Sequence, residues 1–343
     1  MAQTATGYSW VRRVLVQKAE ELTDMAVDDP TELIHLALNE FELRNPRVEL
    51  LDSIDHCNAK VVTERDTFFL KILESGHTET GLHSRLHFAE FLRDGGLSIP
   101  STIATKTGRR FATVCVGSEK RQAVMYRWVE GETLGRHAEE HWIERCGELL
   151  ARLHIRSQEF EALDGIEFRS WEEVCVPSED GWLCQFLANS PLDVSKKEII
   201  ETAAAQARSI NARLPRDRQN YGLIHADFHG DNLIFDGETI WIVDLDDVGW
   251  GHFLFDVAWP AVMFAKRHPD ASEFLEPFLR GYERTRPLSI GEKELLPEFL
   301  LAAGLGALEM VDSSPIANDS PKAQEWLKSV VKWLQRHLKR TRP

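Results

Sequence analysis

The chain has 343 residues, 43% hydrophobic and 28% charged, a composition ordinary for a water-soluble globular protein with two domains or one large lobed domain. Its 40 basic and 55 acidic residues leave a formal charge of −15. That balance argues against a nucleic-acid or anionic-membrane binder, whose footprint is basic, and suits a cationic partner.

The N-terminus, "MAQTATGYSWVRRVLVQKAEELTD", lacks the long apolar core of a secretory signal. Residues 9–26 and 31–43 read as two amphipathic helices, separated by "DDPTEL" with Pro30 near the new first turn. The period then changes. "RVELLDSI", "AKVVTE" and "DTFFLKIL" read as short antiparallel strands. Residues 79–96 carry a helical stripe of Leu82, Leu86, Phe88, Ala89 and Leu92, ending in glycines. "RFATVCVG" and "RQAVMYRWV" are two more strands. Beyond Trp128–Leu134 the pattern is helical, over 139–157, 194–214, 271–284, 291–311 and 321–339. The expected organisation is therefore N-terminal helices over 1–45, a β-rich lobe over 46–128, and a helical lobe over 129–343. The run "FLLAAGLGAL" at 299–308 is too short to span a bilayer. Five widely spaced cysteines without a CxxC pair predict reduced thiols and a cytoplasmic protein.

A β island, "YGLIHADFHGDNLIFDGETIWIVDLDD", interrupts the helical half. "GLIHAD" predicts a strand ending at Asp227, and "FHGDN" a loop. "LIF" and "TIWIVD" are two strands joined by Asp236-Gly237, a hairpin signal. A hairpin puts Asn232, just before its first strand, and Asp244, just after its second, at one open end beside the loop carrying Asp227. Hard oxygen donors of this kind suit magnesium. Phosphoryl transfer from ATP needs an Asp to orient the acceptor hydroxyl and take its proton, and an Asn and a second Asp to hold the metal. Asp227 is the candidate base, and Asn232 and Asp244 are the candidate Mg2+ ligands. His225 is expected to pack and orient, His229 and Asp231 to bond locally, and His154 to be structural. Asp256 is expected to cap a helix. Asp246 and Asp247 are open between a second metal, a cationic substrate and solvated loop residues.

"HADFHGDNLIF…IWIVDLDD" resembles the HxDxxxxN plus metal-Asp pattern of the aminoglycoside phosphotransferase-like kinases, which include type II homoserine kinases, choline kinase relatives and stress-response Ser/Thr kinases. "CGELLARLHIRS", "MYRWVEGETL" and "FLFDVAW" are similar to further family segments, and "RSW" at 169–171 is similar to one in the stress-response subgroup. The resemblance covers about 31–310. It implies an α+β, protein-kinase-like bilobal fold with a small antiparallel β-rich N-lobe and a larger, mainly helical C-lobe. It also implies ATP and Mg2+ as cofactors, and Asp256 bracing the catalytic loop.

The resemblance assigns Lys71 to the phosphates, lets Asn58 approach the nucleotide, and sets Arg127, Trp128 and Val129 at the adenine, held through backbone groups. No glycine-rich loop appears in "DSIDHCNAKVV". Where relatives carry the glutamate that pairs with the lysine, this chain has Arg85 and His87, with Glu79 and Glu90 as the nearest acidic residues. The expected reaction is transfer of the γ-phosphoryl of ATP to a hydroxyl of a small molecule: an aminoglycoside, an amino alcohol or a homoserine-like metabolite. A stress-type Ser/Thr protein kinase, a metal-dependent phosphoesterase suggested by "DFHGD", and a pseudokinase are the alternatives.

Overall fold

The computed structural model describes residues 30–51, 56–74, 76–116, 119–137, 139–162, 165–265, 272–312 and 321–340. The helix expected over 9–26 lies outside them. In chain order the elements are α1 (Pro30–Leu38), β1 (Arg47–Leu51), β2 (Cys57–Val62), β3 (Thr67–Ile72), α2 (Glu79–Asp94), β4 (Ala112–Val116), β5 (Glu119–Arg127) and β6 (Glu132–Thr133). There follow α3 (Glu140–Glu159), β7 (Arg169–Ser170), α4 (Trp182–Asn189), α5 (Val194–Ala207), β8 (Tyr221–Ile224), β9 (Leu233–Phe235), β10 (Ile240–Ile242) and β11 (Gly249–His252). The chain closes with α6 (Phe253–Ala265), α7 (Ser272–Thr285), α8 (Ile290–Asp312) and α9 (Pro321–Arg340). None of the described helices is long and apolar enough to cross a membrane.

These elements form two compact units. The first comprises the described residues of Met1–Leu134, Ala162–Glu167 and Asp231–Asp246; the second comprises those of Gly135–Glu161, Phe168–Gly230 and Asp247–Pro343. The hairpin of the β island thus belongs to the first unit, not to the helical half expected from the sequence. The cause is β6, which pairs with β9 by setting Glu132 opposite Phe235 and Thr133 opposite Ile234. Gly131 permits this approach: its φ is 139°, and a Cβ there would lie 2.2 Å from the Phe235 carbonyl oxygen.

In the first unit, β1–β5 make an antiparallel sheet in the order β1-β2-β3-β5-β4. Side chains alternate between its faces. Phe68, Leu70 and Ile72 of β3 join Ala59, Val61, Ala123 and Met125 on one face, where Leu33, Ile34, Ala37 and Leu38 of α1 cover them. The opposite face carries Phe69 and Lys71, with Asn58 directly across from Lys71 and Tyr126 across from Phe69. Leu82 and Leu86 of α2 pack on that side with Val124. Thr78 caps α2, its hydroxyl accepting from Gly81 N at 3.0 Å.

In the second unit, β8 pairs antiparallel with β11, which takes β7 in parallel on its other edge. Helices α3 and α7 approach closely at Gly147, where a Cβ would sit 2.0 Å from the Phe278 carbonyl oxygen. The helix expected over 194–214 breaks after Ala207 and resumes for one turn at Ile210–Arg213. Several short elements escaped sequence reading, among them α4, β6, β7 and β11; β11 is four residues long with two glycines, too short and too glycine-rich to show a period.

His252, at the end of β11, is buried between the rings of Tyr221 and Phe299. Burial pushes its pKa from 6.5 down to about 4. Its stabilising contribution is complete above pH 6.5 and is lost as the pH falls toward 4, because the unfolded chain takes up a proton that the folded chain refuses. Between pH 7.5 and 5.0 the wild type should lose about 2 kcal/mol more stability than His252→Phe, which has no proton to gain. Urea unfolding at the two pH values measures this; parallel losses in both proteins would refute it.

Candidate active site

The predicted residues fall on both units, and the chain passes from one to the other at Gly230–Asp231, between Asp227 and Asn232.

On the first unit the hairpin is tied as the sequence requires. Asp236 Oδ1 accepts from the backbone N–H groups of Glu238 and Thr239, and Gly237 takes a φ of 106°. At the open end the Val243 N–H donates to the Asn232 carbonyl at 3.0 Å. Asn232 and Asp244 are therefore fixed to one end of one hairpin. Asp244 stands in the left-handed region at φ 60°, a strained conformation for a non-glycine residue. Strain of this kind persists where the surrounding structure holds a side chain in a required direction. The two side chains present hard oxygens of the type magnesium takes, so the donor set fits that ion.

Lys71 is 5% exposed, and its ammonium is held by two carboxylates: Asp244 Oδ1 at 3.0 Å and Asp246 Oδ2 at 2.5 Å. It opens on a recess walled by Asn58, Phe69, Leu86, Tyr126 and Val243. Asn58 is buried there, with its Oδ1 unpaired among the described residues. Neither glutamate of α2 is available to the lysine. Glu79 is bound by Arg109 and Thr113, and Glu90 by Arg110. Burial opposes ionisation of Asp246, but Lys71, His56 and Arg85 around it hold its carboxyl well below the usual carboxylate range. The sequence left Asp246 open between metal, substrate and solvent; the structure makes it a partner of the lysine. Asp247 differs, lying 3.6 Å from the Arg169 guanidinium.

At the segment expected to hold adenine, the Arg127 N–H donates to Ser101 O and the Trp128 N–H to Thr67 O. Both amides are thereby committed within the protein. The Trp128 ring lies under the Lys60 ammonium, 4.3 Å from its centroid.

On the second unit, β8 runs into the loop bearing Asp227. Asp227 Oδ1 accepts from Trp259 Nε1 at 3.2 Å and lies 3.3 Å from His229 Nε2. The loop is held by Asp256. Its two oxygens accept from the consecutive N–H groups of His225 and Ala226, each at 2.7 Å. Ala226 has φ 63°, so the carboxylate fixes a left-handed residue next to the candidate base. The Asp227 N–H in turn donates to His225 Nδ1 at 3.3 Å. Asp256 is no helix cap, since α6 begins at Phe253 and places it in the first turn. Its Oδ2 also meets His154 Nε2 at 3.2 Å. Burial holds the His154 pKa below its ordinary value against the pull of Asp256; a carboxylate only accepts, so Nε2 donates to it, while Nδ1 meets the Tyr282 hydroxyl at 2.7 Å. Trp259 was missed from sequence. Its signal was the Asp256–Trp259 spacing of three, which sets both side chains on one face of α6.

The family model for phosphotransferase enzymes (APH, "Phosphotransferase enzyme family") matches residues 49–291. The homoserine kinase of Xanthobacter autotrophicus is 27% identical over 261 residues, 75% of this chain and 76% of that protein. Among solved structures, a microcompartment-associated aminopropanol kinase superposes with a TM-score of 0.79 at 23% identity, covering 90% of this chain and 98% of its own. An amicoumacin kinase solved with AMP-PNP and Ca2+ gives a TM-score of 0.74 at 16% identity, covering 91% and 94%. The fold is protein-kinase-like, with an antiparallel sheet in one unit and a mainly helical second unit.

Proposed function

The chain belongs to the phosphotransferase enzyme family, and on that premise we propose that it moves the γ-phosphoryl group of ATP to the hydroxyl of a small amino alcohol. The observation that carries the reading is the tethering of Asp227. Its carboxylate is anchored by Trp259 and His229, on a loop fixed by Asp256, and keeps 21% of its side chain exposed. A base so held aligns the acceptor hydroxyl and accepts its proton without having to be ordered first. Lys71 neutralises phosphate oxygens, and Asn58 approaches the nucleotide. Asn232 and Asp244 would hold Mg2+, which when bound supplies charge neutralisation at the phosphates. With the Arg127 and Trp128 N–H groups committed, the Val129 N–H is the hinge donor for the adenine edge.

The amino-alcohol class is supported by two relatives, a homoserine kinase and an aminopropanol kinase. Both named compounds carry a hydroxyl and an amine, and the surplus of acidic residues suits the ammonium group they share. The "RSW" element that pointed toward protein kinases has local duties instead: Trp171 Nε1 donates to the Asp247 carbonyl, and the Arg169 guanidinium stacks 3.8 Å from the Trp171 ring centroid. ATP consumption measured over homoserine, aminopropanol, ethanolamine, choline, an aminoglycoside and a protein acceptor tests the proposal. Primary amino alcohols should give kcat/KM at least about tenfold above the rest, a difference of about 1.4 kcal/mol in transition-state binding. Preference for the protein acceptor would overturn it.

A further inference from the structure

We propose that a charge-reversed clamp positions Lys71: Asp246 serves in place of the helix glutamate that pairs with the phosphate lysine in kinases, and Arg85, on that helix, braces Asp246. The inference rests on the reading of Lys71 as the phosphate lysine. In protein kinases the lysine must be paired with a glutamate from the helix packed on its sheet. Helix α2 packs on the Lys71 face of this sheet, but its two candidate acids are bound elsewhere. Arg85 has the same sign as Lys71, and two cations there repel unless a carboxylate lies between them.

Asp246 is that carboxylate. Its Oδ2 lies 2.5 Å from Lys71 Nζ, and its Oδ1 lies 4.0 Å from Arg85 Nε. His56 Nε2 is 3.4 Å from the same Oδ2. The Lys71, Arg85 and Asp246 side chains are only 7%, 14% and 17% exposed, so solvent screens their interaction weakly. Arg85 Nε and Nη2 are buried and make no hydrogen bond among the described residues. The carboxylate that faces Arg85 Nε is that of Asp246. Removing it leaves a buried arginine facing the lysine, and leaves Lys71 to Asp244 alone.

A charge exchange tests the clamp. Asp246→Asn and Arg85→Glu should each raise KM for ATP about tenfold, with kcat changing by less than about threefold, and the double variant should recover to within about threefold of wild type. Recovery follows because the carboxylate introduced on α2 would pair with Lys71 directly. Binding of a fluorescent ATP analogue without added metal should follow the same pattern. A ligand of a divalent cation at position 246 would not be rescued by a change at position 85, so an unrescued double variant overturns the clamp. So does an Asp246→Asn variant with wild-type KM. Lys71→Met separates the premise: if it binds the analogue as wild type does, the phosphate role of Lys71 falls, and the clamp with it. Melting temperatures accompany each variant. Should Asp246→Asn fail to fold, Arg85→Leu carries the test, with KM up about threefold expected and an unchanged KM refuting the clamp.

Discussion

Asp227→Asn should lower kcat about a thousandfold while ATP binding stays within about twofold of wild type. The substitution is nearly isosteric, and the amide oxygen can still accept from Trp259 Nε1, so the loop keeps its anchor. What disappears is the negative charge and the capacity to take a proton. Positioned general bases contribute about a hundredfold to ten-thousandfold, and the middle of that range is expected for a base that also orients its acceptor. Single-turnover measurements with saturating ATP and the best amino alcohol isolate the chemical step. A variant that keeps more than about a tenth of wild-type turnover would remove Asp227 from the role of base.

Asp256→Ala should produce the largest loss of stability, about 3–5 kcal/mol by chemical denaturation, together with loss of turnover in whatever fraction remains folded. The carboxylate is wholly buried. It accepts from His225 N and Ala226 N and faces His154 Nε2. Alanine strands two buried amides and an imidazole N–H, each costing about 1–3 kcal/mol when left unpaired. It also releases the left-handed Ala226, a conformation that costs about 1–3 kcal/mol unless surrounding contacts impose it. Asp256→Asn should do little better, because its NH2 would confront one of the two amides. A loss below about 1 kcal/mol would mean that the loop is held by something else.

Much of the site was legible because its grammar is local. The Asp236-Gly237 turn announces a hairpin, and a hairpin of known register brings Asn232 and Asp244 to one end. The strands of the first sheet were readable from their period, and with them the placement of Lys71 on one face beside Asn58. Helix ends were read less well. The helix expected to reach 43 stops at Leu38, and the extent of α6 went unmarked because it is apolar on every side and shows no stripe. The division of the chain was misplaced for a related reason: β6 is two residues long, and a two-residue strand leaves no pattern.

By itself the sequence determined the kinds of groups present and their order: an aspartate, an asparagine, and a second aspartate after a tight turn. Covalent spacing and turn chemistry act over a few residues, and that range suffices for such a motif. The tertiary structure alone decided which charges meet. Lys71 finds Asp244 from 173 residues away, and finds Asp246 rather than either glutamate of α2. Asp256 turns from the start of α6 to hold the amides before Asp227. Such pairings depend on how the sheet, hairpin and helices pack within each unit, and burial then gives them their strength by removing the water that would screen them.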